Sequence, residues 1–174
     1  MKRSSLIFFL IFLTSVCEKS EAQTPIFRLI KNDGNIDTNE IKKLSEPLKA
    51  MAALYSSMAG TSCDTTTCEL TTALGLGDQR SEAHKSLIKK YFPNDKVAKV
   101  VVKQDCILSR AGSSDFSEYA YLTITSVKDT VEVYYKVDFY DHGKDSMIEN
   151  YDTYLFRNNQ YNMLRRKFWS WADK

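Results

Sequence analysis

Five residues in the stretch KNDGNIDTNEIKKL (residues 31–44) have the types and spacing of the second half of a calcium-binding loop: Asp33, Gly34, Ile36, Asp37 and Glu40. Such a loop holds its cation with oxygen ligands at the first, third and fifth positions. It turns at a glycine in the sixth and closes with a bidentate Glu at the twelfth. With Asp33 as fifth and Glu40 as twelfth, Leu29 falls first and Lys31 third. A leucine offers no ligand, and a lysine repels the ion. The stretch therefore reads as a turn followed by a helix start. Asp37 is the expected N-cap, with Glu40 three residues on as its capping-box partner. No metal site is assigned.

The remaining chemistry-bearing residues are sparse. SLIK, Ser86 to Lys89, matches the Ser-x-x-Lys motif of penicillin-recognising enzymes, but no Lys-Thr-Gly partner exists in the chain. The only histidines are His84 and His142. Either could serve as a general base with a carboxylate behind it. A solvent-facing helix residue at His84 and a hairpin-tip residue at His142 are the preferred readings. Carboxylates are scattered, and no Gly-rich phosphate loop or His-Glu-x-x-His motif is present. No catalytic residue and no cofactor are assigned.

The chain has 174 residues, 43% apolar and 26% charged, which suits a single globular core. Lys2 and Arg3 precede the eight-residue apolar run LIFFLIFL, which is followed by a polar segment ending SEAQ. That is the pattern of a secretory signal, with cleavage expected after Ala22. The run is too short to span a bilayer, and no transmembrane segment is expected. Residues 1–22 are accordingly read as a leader and residues 23–174 as one domain. The protein is expected in the periplasm or outside the cell. A lipid anchor on Cys17 is disfavoured because Val16 precedes it where a small residue is usual. The charge is close to balanced, so nucleic acid is not implied as a partner.

Cys63, Cys68 and Cys106 remain beyond the leader. Export permits disulfides. A Cys63–Cys68 bridge across CDTTTC is the first candidate, and Cys106 paired with either is the second.

The apolar periodicity divides the chain in two. Ile41, Leu44, Leu48, Met51, Ala52 and Tyr55 recur at three-and-four spacing, predicting helix over 38–59 that Pro47 kinks or interrupts. Further helices are expected over 66–74 and from Ser81 to a stop at Pro93. Beyond Pro93 a period of two predicts strands over 97–108, 119–127, 131–140, 147–157 and 161–169. Lys128-Asp129, Asp141 to Lys144 and Asn158-Asn159 suit tight reversals between the last four strands. The expectation is an α+β fold, with N-terminal helices on one face of a curved antiparallel sheet of about five strands.

Strand alternation also places Tyr119, Tyr121, Tyr134 and Tyr140 on the faces opposite the apolar ones. Tyrosines gathered on one sheet face supply rigid area and hydroxyls for a ligand or partner, although cross-strand pairing that merely stiffens the sheet is the plainer alternative. The closing LRRKFWSWADK joins Arg165, Arg166 and Lys167 to Phe168, Trp169 and Trp171. Basic plus aromatic suits single-stranded nucleic acid or a membrane surface. In an exported chain, a last strand locked by tryptophans is the favoured reading.

The order of helices then strands resembles the cystatin-like architecture, and more particularly the nuclear transport factor 2-like superfamily. The final hairpin DTYLFRNNQYNMLRRKFW is similar to that superfamily's closing strands. The resemblance covers roughly residues 38–169 by element order, with no shared motif. It implies helices in the concave side of a bent sheet and, in the enzymes of the superfamily, a pocket there. Asp105, Asp138 and Asp152 are then the carboxylates to check, although alternation turns Asp105 and Asp138 away from the apolar side. Because such folds host unrelated functions, the activity does not follow. The expectation is an exported, non-catalytic module that binds a small molecule or a protein. An inhibitor or immunity-type protein, a pocket enzyme and a homodimerising subunit are the alternatives. An open polar cavity between helices and sheet would favour the enzyme, and a filled one would not.

Overall fold

The computed structural model describes residues 24–57, 66–103, 116–141 and 144–172, with the backbone alone at 66–68, 116–120, 139–141, 144–146 and 168–172. Residues 1–22, read from the sequence as a leader, and Cys63, Asp105, Cys106 and His142 lie outside the described residues, as does the side chain of Cys68. Among the described residues there are five helices and five strands, with the strands in one antiparallel sheet of order β1-β2-β3-β4-β5. The α+β expectation holds, with the helices on one face of an open sheet.

The opening turn settles its own question. Asp33 Oδ1 accepts from the Asn35 backbone N–H at 3.1 Å, and Gly34 supplies the positive φ of 77° that the reversal needs. Asp37 Oδ1 accepts from the N–H groups of Asn39 and Glu40, capping α1 (Thr38–Lys42). The reciprocal half of the capping box is absent. Asp37 N–H donates to Leu29 O, and the Glu40 carboxylate pairs with Lys43. Lys31 binds the other oxygen of Asp37 at 3.1 Å. The three carboxylates thus serve three separate local contacts.

Pro47 interrupts the predicted long helix rather than kinking it. α1 ends at Lys42, and α2 (Glu46–Ser56) restarts with Pro47 in its first turn, where a missing N–H costs nothing. Residues 50–56 of α2 are buried on every side, as expected of a helix enclosed by other elements. α3 (Thr66–Ala73) and α4 (Glu82–Tyr91) follow as read, the latter capped by Ser81 Oγ on the His84 N–H at 3.1 Å.

Two elements depart from the sequence reading. The residues expected to begin a strand at 97 form instead α5 (Lys96–Lys103), which starts where Asp95 Oδ1 accepts from Ala98 N–H. Its valines suggested a strand, yet Ala98 and Val101 are buried with Val97 and Val102 beside them. That is a helical stripe, and packing against α4 overrides β propensity. The fifth strand of the sheet is β1 (Ile26–Ile30), which pairs antiparallel with β2 (Phe116–Val127).

The rest of the sheet is the expected meander of β2, β3 (Thr130–Asp141), β4 (Lys144–Arg157) and β5 (Gln160–Ala172). Lys128 turns β2 into β3 at φ 55°. Asn158 and Asn159 join β4 to β5 with φ of 53° and 60°, the double positive φ of a mirror-image hairpin turn.

One sheet face packs on the helices through Leu122, Ile124, Val131, Val133, Tyr135 and Val137. At the α4 end, Phe92 stacks on Tyr161 with centroids 4.9 Å apart and meets the edge of Tyr154 at 5.8 Å. Full burial of each such ring contributes roughly 1.5–3 kcal/mol. These side chains occupy the helix–sheet interface.

Candidate functional site

The helix-free face of the sheet carries the tyrosines. Tyr134 of β3 stands directly opposite Tyr151 of β4, and their rings stack with centroids 4.4 Å apart and planes 24° from parallel. Tyr121 of β2 adds a third ring at 5.0 Å from Tyr134. The row Tyr121–Tyr134–Tyr151 thus crosses three strands. Tyr134 also donates its hydroxyl to Glu149 Oε1 at 2.7 Å, and burial within the stack together with that carboxylate pushes its ionisation well above the usual tyrosine range. Cross-strand stacking of this kind stiffens the sheet, yet Tyr151 remains 41% exposed.

Of the four tyrosines singled out by alternation, the structure brings Tyr121 and Tyr134 together and adds Tyr151. Tyr119 does not follow the same alternation. It is in register with Val137, whereas Tyr121 is in register with Lys136, because the pairing shifts between them. A bulge of this sort leaves one extra residue on a strand and breaks strict alternation. Tyr140 pairs with Phe116 and Asp145 near the far end of the sheet. The side chains of Tyr119 and Tyr140 lie outside the described residues. Tyr151 carried a usable signal: counting back from the Asp141–Lys144 hairpin places it opposite Tyr134.

Beside the stack lies a depression of about 490 Å³, lined by Glu132, Glu149, Tyr151, Thr153, Arg165 and Lys167. Register explains its layout. Thr153 stands between Glu132 on β3 and Arg165 on β5, and Tyr151 stands between Tyr134 and Lys167. Thr153 and Tyr151 of β4 therefore separate Glu132 from Arg165 and Lys167, while Glu149 lies two positions along β4 itself, opposite Lys136.

On the helix side, the polar groups form a closed network. Asp152 is fully buried, and Arg166 donates to it twice, from Nε to Oδ1 at 2.7 Å and from Nη2 to Oδ2 at 2.6 Å. Tyr55 of α2 donates to Asp152 Oδ2 at 2.5 Å. Its single proton is then spent, so Tyr154 donates to the Tyr55 oxygen across 3.2 Å. With its amide oxygen turned to Tyr135, Asn150 accepts from that hydroxyl at 2.6 Å and donates to the carbonyls of Glu149 and Lys167. Burial, reinforced by the Asp152 charge, pushes Tyr135 up to about 12. Each polar side chain of this network has its partners, as a stable polar core requires.

Asp152 is therefore a paired structural carboxylate. Asp138 lies on β3 in register with Glu118 and Met147, two strand positions from Lys136. Ser86 and Lys89 are exposed on α4. His84 corrects the expectation of a solvent-facing residue, for it is fully buried. Its Nε2 lies 3.0 Å from Ala53 O and 2.8 Å from Ser57 Oγ, which itself donates to Ala53 O. The consistent tautomer carries its proton on Nε2. Nδ1 has no partner among the described residues, and burial holds the imidazole below its ordinary pKa.

No described helix is long and apolar enough to cross a membrane. Comparison with protein-family models, with curated proteins and with solved structures finds no match to this chain.

Proposed function

We propose that the chain is an exported, non-catalytic binding module that engages a protein partner through the helix-free face of its sheet. One observation carries this reading: the row Tyr121–Tyr134–Tyr151 is rigidified by ring stacking while its outermost member stays exposed. Stacked tyrosines present contact area with little rotamer entropy left to lose on binding, and tyrosine is enriched where interfaces concentrate their energy. The enzyme alternative draws no support from the helix–sheet interface. Asp152, the buried carboxylate nearest to that role, is held by Arg166 and Tyr55 and surrounded by packed aromatics. Export rests on the leader pattern, and the nuclear transport factor 2-like relationship rests on element order.

Two measurements test the reading. Native mass spectrometry of protein purified from the periplasm is expected to give the bare chain mass. A reproducible added mass released by denaturation would move the assignment to a small-molecule binder. Bait experiments then compare the wild type with Tyr134→Ala/Tyr151→Ala. Partners retained by the first and lost at least tenfold by the second, with folding unchanged, support the tyrosine face. Partners held equally by both would sink it, and self-capture lost in the same way would identify a homodimer.

A further inference from the structure

We infer that the depression beside Tyr151 is a charge-paired recognition subsite that takes a carboxylate of the partner on Arg165 and Lys167 and a basic or hydrogen-bond-donating group on Glu132 and Glu149. This rests on the tyrosine-face reading and names the chemistry of the partner that face would accept.

Three observations carry it. The first is the pairing of the cations. Lys31, Lys43, Lys90, Arg157 and Arg166 each hold a carboxylate. Arg165 and Lys167, like Lys42, Lys49 and Lys136, make no ion pair among the described residues, and they alone of these line a depression with Glu132 and Glu149. The second is the cause of that separation. Thr153 occupies the intervening position on β4, so Glu132 and Arg165 sit two strands apart, about 10 Å across the sheet; Glu149, on β4 itself, accepts instead from the Tyr134 hydroxyl. The cations are themselves alternate residues on β5, about 7 Å apart along the strand, a spacing that one carboxylate or two neighbouring ones can bridge.

The third observation is what aims them outward. The β4–β5 pairing shifts between Thr153 and Tyr154, leaving Leu164 as the extra residue. Without that bulge, alternation from Tyr161 would turn Arg165 toward the helices. With it, Arg166 goes in to Asp152, while Arg165 and Lys167 line the depression. Cations on an edge strand also deter edge-to-edge pairing. Protection of the edge does not require them to share a depression with Tyr151, Glu132 and Glu149.

Glu132 and Glu149, lining the same depression, select the class of partner. A nucleic acid or phosphorylated surface would bring its charge against Glu132 and Glu149 as well as onto Arg165 and Lys167. A protein segment with an acidic and a basic or amide side chain in succession complements both the cations and the carboxylates. Exposed charge contacts of this kind govern encounter rate and partner choice more than affinity.

The test uses a phage-displayed library of random 12-residue peptides, panned on the purified protein. The selected peptides are assayed for binding to the wild type, to Arg165→Glu/Lys167→Glu and to Tyr151→Ala. All three positions are exposed, and circular dichroism checks that the variants fold. The expected peptides carry Asp or Glu and lose at least tenfold in affinity to the charge-reversed variant, with the loss growing as salt is lowered. Replacing their acid by Lys is expected to restore binding to that variant. Peptides weakened by Tyr151→Ala but indifferent to charge reversal would overturn this inference and leave the tyrosine face standing. Indifference to both variants, or a library without binders, would overturn both. A 12-nucleotide oligothymidylate that binds through Arg165 and Lys167 would replace the protein partner with a polyanion.

Discussion

Arg166 grips Asp152 with two parallel hydrogen bonds, of 2.7 and 2.6 Å, from the edge strand into the buried side of the sheet. Tyr55 reaches the same carboxylate from α2. A single buried anion therefore ties the helical layer to β4 and β5. The Asp152 side chain is fully inaccessible and that of Arg166 about one-third exposed, so the pair sits where removing one partner strands the other.

Arg166→Ala is expected to destabilise the protein by about 3 kcal/mol, the low end for breaking a buried pair, because Arg166 keeps some solvent. For a chain of this size the melting temperature should fall by about 10 °C. Asp152→Asn in the Arg166→Met background should recover much of that loss, since neither variant side chain leaves a charge uncompensated. A thermal melt in which the double variant is no better than Arg166→Ala would mean that the pair is not the strut it resembles.

Four buried tyrosines, three of them coupled to that carboxylate, make the fold sensitive to alkali. Burial raises the ionisation of Tyr55, Tyr135, Tyr154 and Tyr161, with Tyr135 pushed up to about 12. A raised folded pKa stabilises the fold fully below the unfolded value of about 10, and that stabilisation is lost as pH climbs from there. Absorbance at 295 nm should therefore show these groups ionising together with unfolding above about pH 10. Removing the Tyr55 hydroxyl by Tyr55→Phe should cost about 1–2 kcal/mol at neutral pH.

Acid acts through His84. Burial lowers its pKa from the ordinary 6.5, so below that pH the unfolded chain takes up a proton that the folded chain resists. Stability is thus complete above about pH 6.5 and falls as pH decreases through the window below it. Melting temperatures of the wild type between pH 7.5 and 5 should decline more steeply than those of His84→Gln. Parallel declines would show that His84 takes no part.

The Asn158-Asn159 turn offers a change in the stabilising direction. Both residues hold positive φ, which glycine adopts without a Cβ penalty. Asn159→Gly should raise stability by roughly 0.5 kcal/mol and Asn159→Val should lower it by about 1 kcal/mol. A valine variant as stable as the wild type would contradict the assigned turn.

What could be read along the chain was what local chemistry decides. Asp37 caps a helix because its side chain reaches N–H groups two and three residues away, and Pro47 restarts one because its ring fits only a first turn. The asparagine pair reverses the chain by its own tolerance of positive φ. These devices act within a few residues, so α2, α4 and the four-strand meander were legible in advance. The Tyr121–Tyr134 half of the tyrosine row was legible for the same reason, since period two holds wherever the register is regular.

Tertiary structure decided the elements whose local signals were balanced or misleading. The valines of α5 favour a strand in isolation, and only burial of Ala98 and Val101 against the helical layer selects the helix. β1 is a five-residue edge whose partner lies some 95 residues away, so nothing near it announces a strand. His84 reads as a polar helix residue until Ala53 and Ser57 enclose it. The bulges beside Tyr119 and at Leu164 shift the alternation by one residue. That shift sends Arg166 to Asp152 and leaves Arg165 and Lys167 on the tyrosine face. Composition and spacing determine which segments fold locally. Which of two adjacent arginines is buried is a property of the register, set only when β4 and β5 pair under the helices.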